Sequence, residues 1–132
     1  MEIPQPAIDG QGGPLWEETV RASRELGLHA EQLFVVISRP VAGFGPVQAA
    51  LGEHLPYQKK LEAKGVMVSA GPLANADGTA WDGEGIFVYR AASVDEAIRI
   101  AEQDPMHIAG ARTFEIRAWC LNEGTSTLDR SA

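Results

Sequence analysis

Cysteine is almost missing from this chain: Cys120 stands alone among 132 residues. A single thiol closes no intrachain disulfide and builds no cysteine metal cluster, so packing alone must hold the fold. Basic residues are also short, 11 Lys and Arg against 18 Asp and Glu, for a formal net charge of -7. With no basic run longer than Lys59-Lys60, the chain lacks the electrostatic footprint of a nucleic-acid binder. Long apolar runs are lacking too. The longest, Leu33 to Ile37, falls far short of the roughly 20 residues of a membrane span. Met1-Glu2 opens the chain without a basic segment or an apolar signal core, so a cytoplasmic protein with no membrane contact is expected. What is present, 45% hydrophobic residues, suits one globular domain with a proper core.

Residues 1–13 mix proline and glycine without periodicity and read as an irregular arm. A short helix is predicted over 14–26, with Pro14 at its start, Glu17 and Glu18 in the first turn, and Gly27 just past its end. Residues 32–39 are β-branched and bounded by Pro40, which predicts a buried strand, and 41–46 form a Gly/Pro loop. A helix follows over 47–64, stopped by Gly65. Strands are predicted over 66–70 and 85–90, joined by a long polar hairpin connection, with Gly71-Pro72 read as a strand-ending turn. Ser93 with Glu96 is a capping box opening a second helix, which Pro105 closes. Residues 113–121 alternate cleanly as a last strand, Cys120 falling in step with Phe114, Ile116 and Ala118 as a packing residue. The tail 122–132 is small and polar and reads as mobile.

The order β-α-β-β-α-β predicts an α+β, ferredoxin-like domain over 31–121, with both helices on one face of a four-stranded antiparallel sheet. An arm and short helix over 1–30 precede it, and the tail over 122–132 follows. Leu33 to Ile37 and Ile86 to Tyr89 carry apolar groups on both faces, yet two helices cover one. A homodimer packed sheet to sheet is the simplest cover, the alternative being the leading helix of the same chain.

Two ionisable residues interrupt apolar helical stripes. His54 shares a stripe with Val47, Leu51, Leu55 and Leu61, and Asp104 extends the stripe of Ala97, Ile100 and Ala101. Burying opposite charges demands pairing, so the two are expected to meet or to share a wet cavity. A carboxylate beside an imidazole sets its tautomer and steadies its protonated form, which suits proton transfer near neutrality. Asp104-Pro105 is equally a good N-cap for a turn ending at Gly110. Arg39 and Arg117, near strand ends, are candidate anion anchors, though solvated or dimer-bridging roles serve as well. Tyr57, Trp81, Met106 and Trp119 are candidate linings for an aromatic-friendly cavity, and Gly71-Pro72 for a close backbone approach. His29, His54 and His107 show no metal-ligand spacing, and Gly83-Glu84-Gly85 opens a strand rather than a helix, so neither a metal nor a dinucleotide cofactor is expected.

The run His54-Leu55-Pro56-Tyr57 with Leu61 and Gly65, then Ser69-Ala70-Gly71-Pro72-Leu73, then residues 93–97, Asp104-Pro105-Met106 and Gly110, resembles the YCII-related (YciI-like) family. The resemblance spans about residues 31–121. It implies a dimeric α/β barrel of ferredoxin-like subunits, with His54 and Asp104 as the catalytic pair. Relatives include a dehydrochlorinase of a chlorinated hydroxyhydroquinone, and muconolactone isomerases share the fold, which implies small ring substrates. Where the family often has an arginine three residues before its histidine, this chain has Leu51, and Met106 stands where phenylalanine is common. The expected protein is a cofactor-free isomerase or lyase moving protons on a small cyclic or unsaturated compound. Arg39, Tyr57, Ser69, Gly71, Pro72 and Met106 are its candidate substrate contacts. A non-catalytic small-ligand-binding or stress-response subunit is the alternative, since a fold does not license an activity.

Overall fold

The computed structural model describes residues 8–9 and 12–124, so most of the expected arm and tail lies outside the described residues. The chain divides into two compact units, Met1–Gln32 with Cys120–Ala132, and Leu33–Trp119.

In the first unit, β1 (Ile8–Asp9) pairs antiparallel with β2 (Gly13–Pro14), where an irregular arm was expected. Helix α1 runs over Trp16–Glu25, two residues later than Pro14 suggested. Pro14 instead sits in β2, opposite Ile8 in a two-stranded sheet whose strands are both edges, a position that tolerates proline. The carbonyl of Leu15 opens the helix, accepting from the N–H groups of Glu18 and Thr19 at 3.1 Å each. Gly27, at φ +81°, ends it, with the Leu28 N–H reaching back 3.2 Å to the Ser23 carbonyl. Asn122, expected in a mobile tail, is tied down: its amide donates to Ser23 Oγ at 3.0 Å and its carbonyl accepts from His29 N at 3.1 Å.

The sheet follows in order: β3 (Glu31–Pro40), α2 (Phe44–Ala63), β4 (Met67–Leu73), β5 (Glu84–Tyr89), α3 (Val94–Glu102), α4 (Pro105–Ile108) and β6 (Arg112–Leu121). The strands lie side by side as β4-β5-β3-β6, the four-stranded antiparallel sheet of a ferredoxin-like α+β fold. Helix α2 starts three residues before the predicted 47, because Pro46 lies in the first helical turn, where its absent N–H has no partner to lose. Strand β4 likewise runs through Gly71-Pro72, which were expected to end it. An edge strand tolerates proline, and Pro72 sits opposite Gly85 without interrupting the register.

Register decides which side chains share a face. Phe34 opposes Tyr89 and Val36 opposes Phe87, and these form the core against Leu61 of α2 and Ala97 and Ala101 of α3. Of the predicted α2 stripe, Val47, His54 and Leu61 are buried, whereas Leu55, rotated by a quarter turn from His54, is 51% exposed. The alternate positions Val35 opposite Val88 and Ile37 opposite Ile86 lie on the other face. A bulge between Met67 and Ser69 resets β4, placing Ser69 opposite Val88 and Ala70 opposite Phe87.

Candidate active site

Helix α2 and the α3–α4 junction bring together the two ionisable residues that broke the apolar stripes. His54 Nδ1 lies 2.7 Å from Asp104 Oδ1, with His54 3% exposed and Asp104 fully buried. A carboxylate only accepts, so Nδ1 carries the proton and Nε2 presents its lone pair. Asp104 is also the N-cap of α4, its Oδ1 accepting from Met106 N at 2.9 Å. The capping and pairing roles therefore coexist on one oxygen, and the fixed backbone N–H holds the carboxylate where His54 meets it. Asp104 Oδ2 is buried without a partner among the described residues, as is the Tyr89 hydroxyl. Burial first, then the charge of Asp104, then Tyr57 push the Tyr89 phenol far above its ordinary range, so it remains a neutral O–H.

His54 lines a cavity of about 350 Å³ between α2 and the β4–β5 edge. Leu51, Leu55, Trp81 and Phe87 form its apolar walls, while Gln58 and Arg112 add polar groups. The Phe87 ring packs 5.6 Å from the imidazole, and the Trp81 indole is pinned by its N–H donating to the Glu84 carbonyl at 2.7 Å. Among the described residues His54 Nε2 has no hydrogen-bond partner, and the ring lines this space.

Of the other candidates, Gly71 and Pro72 line this cavity from β4. Met106 touches the site only through its backbone N–H, its side chain being buried with Val47 and Ala111. Tyr57 packs in the core and donates to the Ile100 carbonyl at 2.7 Å; burial first, then Asp104, raise its pKa. Ser69 faces the opposite side of the sheet because of the bulge. Arg39 is half exposed and engaged with Glu115 at 3.3 Å and Glu84 at 3.8 Å.

Arg112 escaped the sequence reading. It begins β6, is 3% exposed, and its Nε donates to the Gly83 carbonyl at 2.7 Å. Its position, in step with Phe114 and Ile116, was the available signal: an arginine in the inward phase of a strand demands a reason. His107, next to the pair in sequence, has a separate role. Its Nδ1–H donates to the Ala101 carbonyl at 2.7 Å and Ser38 Oγ lies 2.7 Å from Nε2, its hydroxyl donating to the neutral ring. Desolvation lowers its pKa, partly opposed by that carbonyl and by Asp104.

A second, larger concavity of about 670 Å³ opens on the other face of the sheet, lined by Val35, Ile37, Ile86, Val88 and Trp119, with Ser69 and Arg117 at hand. No His, Asp or Glu lines it, whereas His54 lines the smaller cavity. Among the described residues, no three His, Cys, Asp or Glu side chains converge as metal ligands, and no helix is long and apolar enough to cross a membrane.

Comparison with known families decides the lineage, because the YCII-related domain model matches residues 32–120. The chain belongs to the YCII-related domain family. The matched segment contains the whole constellation, from β3 to the start of Cys120. No curated protein matches this chain. Among solved structures, it is similar to the 5-chloro-2-hydroxyhydroquinone dehydrochlorinase TftG of Burkholderia phenoliruptrix AC1100, in complex with 2,5-dihydroxybenzoquinone. The identity is 25% and the TM-score 0.52, over 66% of this chain and 92% of that one.

Proposed function

We propose that this YCII-related protein is a small-molecule enzyme that moves protons on a small unsaturated ring, with elimination as its reaction type. One observation carries the reading: a buried imidazole, oriented by a carboxylate at 2.7 Å, turns its free nitrogen onto an apolar cavity of ring size. His54 Nε2 takes a proton from an acidic hydroxyl or carbon of the substrate, and Asp104 stabilises the imidazolium that forms. The same nitrogen returns the proton to a ring carbon. For a chlorinated hydroxyhydroquinone, two hydroxyl protons leave, one proton adds to the carbon bearing chlorine, and chloride departs with its bonding pair. The ring becomes a quinone and hydrogen chloride is lost, with no external oxidant. The resemblance to the dehydrochlorinase favours this elimination over isomerisation.

The test is chloride release from 5-chloro-2-hydroxyhydroquinone by the full chain. His54→Ala is expected to cut turnover of the folded variant by about a hundredfold to ten-thousandfold, the usual range for a lost general base, and to lower stability as well, because it leaves Asp104 buried without its imidazole. Intact turnover in the folded variant rejects the proton-transfer reading in favour of a structural histidine.

The working form is proposed to be a cytoplasmic homodimer joined through the open sheet face. Val35, Ile37 and Ile86 lie there only partly buried and Trp119 is 42% exposed, an apolar surface that a second sheet would cover. A monomeric mass in light scattering at micromolar concentration rejects this assembly.

A further inference from the structure

Arg112 carries a charge that Asp104 and Glu84 offset only from a distance, without an ion pair. Its guanidinium is always protonated at neutral pH, yet no carboxylate among the described residues lies within ion-pair distance. Nε is spent on the Gly83 carbonyl, while Nη1 is buried with no partner among the described residues. The neighbouring Gly85 keeps room for this group: a Cβ there would sit 3.0 Å from Nη1 and 3.4 Å from Cζ. Arg112, Gly85 and His54 line the same cavity, and Arg112 is its one Lys or Arg. Gln58, also on that wall, has a buried Nε2 without a partner. Both side chains, one of them cationic, thus line a space otherwise walled by Leu51, Leu55, Trp81 and Phe87, with an unsatisfied donor of each buried beside it. Buried donors of this kind cost free energy until an acceptor fills them, and an ionised acceptor fills them best.

We propose that Arg112 anchors an ionised oxygen of the substrate, so that the cavity selects a small planar ring bearing a carboxylate or enolate over its neutral counterpart. Gln58 donates a second hydrogen bond to the same end of the ring, leaving the reacting end to His54. This rests on the proton-transfer reading for the identity of the site, but it is a statement about binding and is tested apart from turnover.

The experiment is calorimetric titration of the full chain at neutral pH with two anions and their uncharged counterparts. Benzoate is set against benzamide, and 2,5-dihydroxybenzoquinone against its dimethyl ether. At least one anion is expected to bind about tenfold or more tightly than its neutral counterpart, the size of one charged hydrogen bond. A preference confined to benzoate names the carboxylate as the anchored group; one confined to the quinone names the enolate. Arg112→Gln is expected to erase the preference, and His54→Gln to leave it in place. Equal affinity within both pairs, no detectable binding of either anion, or a preference that survives Arg112→Gln overturns the proposal. Should that variant fail to fold, the paired ligands on the unaltered chain decide by themselves. Charge preference without chloride release rejects only the elimination reading, and chloride release without charge preference rejects only the anchor.

Discussion

The sheet has a hollow on each side, and the two are opposites in chemistry. On the helix side, a cavity of about 350 Å³ gathers His54, Gln58 and Arg112 within an apolar wall, with Asp104 behind the histidine. On the open side, a concavity of about 670 Å³ is apolar apart from Ser69 and Arg117. The larger hollow invites a surface and the smaller one a molecule. Unpaired buried donors have value only when a ligand satisfies them, whereas a broad apolar face gains most from another broad apolar face. Size alone misleads here, because no His, Asp or Glu lines the bigger hollow.

The strongest way to break this contrast is at Asp104. Asp104→Ala strips the α4 cap and leaves the imidazole unpartnered, and loss of one member of a buried pair is expected to cost about 3–5 kcal/mol in denaturant unfolding. Asp104→Asn retains a capping oxygen and is expected to cost less stability while still lowering turnover. Equal behaviour of the two variants would mean that the capping oxygen matters little and the charge carries the effect. On the opposite face, Ile86→Lys is expected to raise the dimer dissociation constant by at least about tenfold in sedimentation, with binding in the His54 cavity unchanged. If that substitution instead abolished ligand binding, the two hollows would not be independent.

Gly83 sharpens the comparison further. It adopts φ +109°, and a Cβ there would lie 2.9 Å from Pro40 Cγ and 3.3 Å from Val47 Cγ2, while its carbonyl holds Arg112 Nε. Gly83→Ala is therefore expected to cost about 1–3 kcal/mol by thermal unfolding. The weakest expected effect comes from His107, whose pKa in the folded chain is lowered, chiefly by desolvation. Between that depressed value and about 6.5, the unfolded chain binds the proton and the folded chain does not. Its stability contribution is thus present above about pH 6.5 and is lost as pH falls toward the folded value. His107→Gln is expected to flatten the fall in melting temperature across that window, and an unchanged slope would clear His107 of the effect.

Much of this arrangement was legible before any coordinates. Stripe phase alone turned His54 and Asp104 inward, since a helix repeats every 3.6 residues and a charge in the apolar phase has to be accommodated. The capping box was equally readable, and Ser93 Oγ accepts from Glu96 N at 3.2 Å. Gly71-Pro72 misled because proline usually ends a strand, and only the position of β4 at the sheet edge removes that penalty. Ser69, a candidate contact put forward from the family resemblance, lies opposite Val88 on the face away from His54. A bulge shifts the alternation by one residue, and no local pattern announces it.

Local patterns, whose physics spans a few residues, settled the order of helices and strands, the inward turn of one histidine and one aspartate, and the existence of an apolar surplus on the strands. The company each group keeps was settled by folding. Arg112 meets Gly85 and faces the space beside His54 because of how strands distant in sequence pair. Such proximity, and the unsatisfied donors it creates, depends on cross-strand register and helix packing, quantities that short-range periodicity does not encode.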